Sequence, residues 1–104
     1  MVSVHQRGGT TVIEVDGNLD IVAAHDLRRA YADAELLSDR TIEMDLSRVG
    51  AADRAGIDAL AWCVERAVAT RTTLTWSTCS QPLTGAISAS ARTVRTRVAG
   101  PLSA

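Results

Sequence analysis

Hydrophobic and polar residues alternate cleanly over residues 41–46, where Ile42, Met44 and Leu46 interleave with Thr41, Glu43 and Asp45. That period of two is the signature of a strand with one buried face. A turn containing Ser47, Gly50, Ala51 and Ala52 follows, and then the period changes. From Ala55 onward Ile57, Leu60, Ala61, Val64 and Val68 recur at helical spacing, which predicts a helix with that stripe buried. Asp53 stands where this helix begins. Its carboxylate can accept backbone N–H groups left unpaired by the first turn, and its charge suits the positive end of the helix dipole. The unit is a strand, a short loop and an acid-capped helix, with the loop at the carboxyl end of the strand, where open α/β sheets place their working surface.

The rest of the chain repeats the theme. Residues 2–6 read as an edge strand closed by the Gly8–Gly9 turn. Residues 11–15 (TVIEV) read as a second strand, buried through Val15 and either Val12 or Ile13. Asp16, Gly17 and Asn18 form a turn, and Leu19 and Asp20 lead into a helix ending near Ser38 and Asp39. Its predicted buried stripe is Ala23, Leu27, Ala30, Tyr31 and Ala34, with Arg28, Arg29, Asp33 and Glu35 in water. The β-branched run at residues 72–76 is a further strand. Ser80, Gln81 and Pro82 form a helix start for Leu83, Ala86, Ile87 and Ala91. Val94, Thr96 and Val98 then alternate like a strand, although continued helix also fits, and Gly100–Pro101 ends regular structure. Three rounds of strand and helix predict an α/β layer fold. Its short mixed, mostly parallel sheet would have right-handed crossovers, an antiparallel first pair and about four helices. At 104 residues the chain is expected to form one domain spanning residues 1–104.

Charge narrows the partners. The net charge is −1, but every acid lies at or before Glu65, while Arg71, Arg92, Arg95 and Arg97 follow with none. The basic tail, residues 92–104, has no lysine and no interleaved aromatic residue, so it reads as solvated and no direct nucleic-acid contact is expected. No window nears the ~18 apolar residues of a membrane span, and residues 1–9 lack a signal-peptide core, so a cytoplasmic protein is expected. Cys63 and Cys79 fall in structured segments and read as buried free thiols; His5 and His25 are isolated from them, so no metal site is predicted. No Gly-rich phosphate loop or Ser/His/Asp set is present. Asp20, Asp45, Asp53 and Asp58 could cluster near the carboxyl ends of strands, but Asp53 and Asp58 have structural tasks, capping and solvation, and Asp45 ends a strand, so neither catalysis nor a cofactor is expected.

One face of the central helix carries more information. At about 100° per residue, Ala55, Asp58, Ala59 and Trp62 fall opposite the apolar stripe, with Arg54 starting that side. A tryptophan among small residues and charges suits an interface anchor. The alternative is cover by a neighbouring helix or by the C-terminal segment of the same chain.

These residues carry a resemblance. Gly17-Asn18-Leu19-Asp20, a helix with Leu27, Asp45-Leu46-Ser47, and Asp53-Arg54-Ala55-Gly56 opening a second helix occur in the order and spacing of the STAS domain of bacterial anti-sigma factor antagonists. The resemblance spans about residues 11–83. It implies a small α/β regulator, non-enzymatic, that binds a kinase-like ATPase, the anti-sigma factor, and so frees a sigma factor for transcription. It further implies a partner-binding surface of Asp20, Asp53, Arg54, Ala55, Gly56, Asp58, Ala59 and Trp62. In regulated members the position after the helix-opening Asp is a Ser or Thr that the partner phosphorylates. Here it is Arg54, which cannot accept a phosphoryl group. Three readings follow: a permanently available antagonist, a divergent STAS scaffold with another partner, or a module sensing an anionic ligand or nucleotide at Arg54. Self-association through Trp62 into a homodimer is also open.

Overall fold

The structure, a computed structural model, describes residues 1–37, 41–78 and 98–99. Strands β1 (Val2–Arg7) and β2 (Thr10–Asp16) form an antiparallel hairpin in which Arg7 pairs with Thr10. Gly8 and Gly9 between them both have positive φ, +56° and +87°, as a two-residue hairpin turn of matching twist requires. The chain then runs through α1 (Ile21–Leu37), β3 (Thr41–Arg48), α2 (Arg54–Thr70), β4 (Thr73–Thr78) and the two-residue β5 (Val98–Ala99). The sheet order is β1-β2-β3-β4-β5, with every pair after the first parallel.

Because successive parallel strands step in one direction across the sheet, right-handed crossovers place both helices on the same face. α1 and α2 pack on each other and on that face. The core joins Ile13 and Val15 of β2, Ile42, Met44 and Leu46 of β3, and Leu74 and Trp76 of β4 to Leu27 and Tyr31 of α1 and Leu60 and Val64 of α2. The opposite face is polar and half-exposed, with Glu14, Glu43, Asp45, Thr75 and Ser77. Val12 and Ile13 are both fully buried, so β2 is covered on both faces at this point, where the sequence offered one or the other, although Glu14 on the Val12 side is half-exposed.

The strands and the α1 stripe follow the pattern in the sequence, with Ala24 added to that stripe. Two expectations are corrected. The described residues contain two helices, so about four is not supported; the helix expected from Ser80, together with Cys79 and most of the basic tail, lies outside them. The buried stripe of α2 is Gly56, Ala59, Leu60, Cys63, Val64 and Ala67, whereas Ile57 and Ala61 are half-buried and Val68 is 37% exposed. Reading the stripe from the largest side chains rotates it by about one residue. Small residues at 56, 59, 63 and 67 make up most of the buried side, and size-weighted hydrophobicity overlooks them.

Candidate functional site

The two helix N-termini stand side by side at the carboxyl ends of β2 and β3, joined through Leu19. The Leu19 N–H donates to the Ala51 carbonyl (2.8 Å), and the Asp53 N–H donates to the Leu19 carbonyl (3.2 Å). Leu19 and Ala52 thereby form an isolated parallel bridge, one more rung of pairing beyond the strands. On each side of the rung the same cap is built. Asp20 Oδ1 accepts the Ala23 N–H at 3.0 Å, and the Ala24 N–H donates to the Asp20 carbonyl at 2.7 Å. Asp53 Oδ1 accepts the Gly56 N–H at 3.0 Å, and the Ile57 N–H donates to the Asp53 carbonyl at 3.0 Å. Each aspartate satisfies an orphan donor and places a negative charge at a positive helix end.

Gly56 is fitted to this arrangement. A β-carbon there would overlap the Leu19 carbonyl oxygen and lie 2.8 Å from Leu19 Cγ. Only a hydrogen fits between the first turn of α2 and the loop before α1. Arg54, the first helical residue after the Asp53 cap, is turned outward with 88% of its side chain exposed. Its Nε donates to Asp58 Oδ1 at 3.2 Å, four residues along the helix. Ala55 is half-buried against the core. The site therefore presents Asp20, Asp53, Arg54 and Asp58 to solvent, with Gly56 beneath them.

Two expected members of this surface lie elsewhere. Ala59 is fully buried and faces the core, not the outer side of α2. Trp62 is half-buried between the helices: its ring meets Tyr31 of α1 edge-on, with centroids 6.0 Å apart and planes at 80°. The guanidinium of Arg66 lies 5.7 Å above the Trp62 ring and donates to Glu35 Oε1 at 2.8 Å. Trp62 thus packs on α1 of its own chain, the alternative left open by the sequence, with part of its side chain still reaching solvent. Glu35, expected in water, has only 13% of its side chain exposed. Burial pushes the Tyr31 hydroxyl above the usual phenol range, with the nearby Cys63 and Glu35 acting in the same direction.

Sequence reasoning also passed over Ile21 and Val22. These first two residues of α1 are 70% and 66% exposed, directly after Asp20. The signal was present: they precede Ala23, the start of the buried stripe, and so fall outside its period.

On the polar face of the sheet, Asp45 Oδ1 accepts the Ser47 hydroxyl at 2.6 Å, the Ser47 N–H at 3.1 Å and the Ser77 hydroxyl at 3.2 Å. The Ser47 hydroxyl, chiefly, holds the Asp45 carboxyl below the usual carboxylate range. A shallow cleft of 180 Å³ adjoins it, lined by Glu14, Asp16, Asp45 and Arg48 among others. It is small beside the ~300 Å³ of ordinary ligand pockets and does not include Arg54. Among the described residues, no group of three or more His, Cys, Asp or Glu is placed to hold a metal ion. Nor is any described helix long and apolar enough to cross a membrane.

The fold is shared with solved structures. An anti-sigma factor antagonist from Mycobacterium paratuberculosis superposes with a TM-score of 0.76 at 22% identity, over 98% of this chain and 86% of that one. The Bacillus cell fate determinant SpoIIAA in its phosphorylated form gives 0.73 at 16% identity, over 99% and 93%. A sulfate transporter family protein from Wolinella succinogenes gives 0.69 at 23% identity, over 88% and 77%. At these identities the likeness establishes the fold. No curated protein sequence matches the chain. The family model described as "Mlab, STAS domain" matches residues 2–94, nearly the whole sequence. The chain therefore belongs to the STAS domain family.

Proposed function

We propose that this protein is an anti-sigma factor antagonist whose phosphorylation switch is absent at the usual position. It acts in the cytoplasm as a single STAS domain, without catalysis, by binding a kinase-like anti-sigma factor and so freeing a sigma factor. The observation that carries the reading is Arg54: exposed, at the first position of α2 after the Asp53 cap, where regulated members hold the phosphoacceptor. Phosphorylation there would add about −1.5 to −2 charges. Arg54 instead contributes a fixed positive charge, so the partner surface has one charge state and the antagonist is permanently available. The partner-facing residues are Asp20, Asp53, Arg54 and Asp58, with Ala55 and Gly56 shaping the turn beneath them. Ala59 and Trp62 support this surface from the core and the helix interface.

The test uses the purified chain and the purified kinase-like anti-sigma factors of the source organism with ATP. Wild type is expected to bind one of them and remain unmodified by mass spectrometry. Arg54→Ser is expected to gain one phosphoryl group and then release the partner. Absence of binding by every such factor would overturn the assignment.

A second reading is a divergent STAS scaffold with a different partner. The observation favouring it is the Arg54–Asp58 pair, which gives Arg54 a role within its own helix. Under that reading no anti-sigma factor binds, and Arg54→Ser gains no phosphoryl group. Sensing of an anionic ligand is less well supported, because the Asp53 carboxylate already occupies an amide at the α2 N-terminus.

A further inference from the structure

We draw no further inference here: the strongest candidate, the exposed apolar pair Ile21 and Val22 on the first turn of α1, adjoins the surface already assigned to a partner, and nothing in the structure shows what covers it.

Discussion

The Leu19 carbonyl and the α-carbon of Gly56 stand so close that no side chain fits between them. This contact locks the loop before α1 to the first turn of α2, and with it the two aspartate caps. Gly56→Ala should therefore destabilise the fold, although alanine is the better helix former by about 1 kcal/mol. The obstacle is backbone, which cannot rotate away, and forced overpacking of this kind costs about 1–3 kcal/mol. For a domain of this size each kcal/mol lowers Tm by roughly 4–8 °C. Gly50→Ala is the control. Its β-carbon would sit 3.2 Å from Asn18 Oδ1, a side-chain atom that can move aside, so its effect should be smaller. A Gly56→Ala protein as stable as wild type in thermal unfolding would refute the contact.

Arg54 variants should leave stability nearly unchanged. The Arg54–Asp58 pair is exposed, and an i,i+4 pair of this kind contributes about 0.3–0.5 kcal/mol. Arg54→Ser and Arg54→Glu are expected to unfold in urea within about 0.5 kcal/mol of wild type. Any change they make in partner binding then reports on the surface. A larger loss would mean that Arg54 has a structural role, which would remove the basis for reading it as a partner contact.

Strands and the α1 stripe were legible because alternation and helical period register burial directly. Ile42, Met44 and Leu46 could face only one way, and all three are fully buried. The Asp53 cap was legible too, since an aspartate before an apolar-periodic run has few other uses, whereas Asp20 was placed only as the lead into α1 and its matching cap came from the structure. The face of α2 was not legible. Ala59 and Cys63 are fully buried by the packing of α2 in the core, a tertiary fact that neither side-chain size nor local period encodes. The contact of Trp62 with α1 was hidden for the same reason: its partner Tyr31 lies 31 positions earlier, and only the packing of the two helices brings them together. The Leu19–Gly56 contact was foreshadowed only by the Gly itself. A glycine in a first helical turn marks close approach without saying to what.

The group of Tyr31, Trp62, Arg66 and Glu35 should behave as a coupled unit. Arg66→Ala removes the partner of a largely buried carboxylate and the cation above an indole ring. It should destabilise the protein more than Arg54→Ala does, because the stranded Glu35 keeps its desolvation cost without compensation. Adding Glu35→Gln to Arg66→Ala should restore part of the loss. A double-mutant cycle in urea with no coupling between positions 35 and 66 would show that the pair, although short at 2.8 Å, has no energetic role.

Asp45 gives the polar face an acid dependence of defined sign. Its folded-state carboxyl titrates below the ordinary value of 3.8, first because the Ser47 hydroxyl donates to it, with the Ser47 N–H and the Ser77 hydroxyl adding to the effect. Burial opposes the shift but does not reverse it. A carboxyl whose pKa is lower in the folded than in the unfolded chain favours the folded state wherever it is ionised in both. The contribution is fully present above about pH 4 and is lost as pH falls through the folded-state value. Ser47→Ala removes the largest of the shifting interactions, the hydroxyl at 2.6 Å, and leaves the backbone N–H in place. The variant should be less stable than wild type at neutral pH, and the gap should narrow as pH drops below about 4. Ser77→Ala should do the same more weakly, its hydroxyl being 3.2 Å from the carboxylate. Urea unfolding of the three proteins from pH 7 to pH 2.5 reads the slopes directly. A gap between wild type and Ser47→Ala that stayed constant across this range would mean that the hydroxyl stabilises the fold through contacts other than the Asp45 charge.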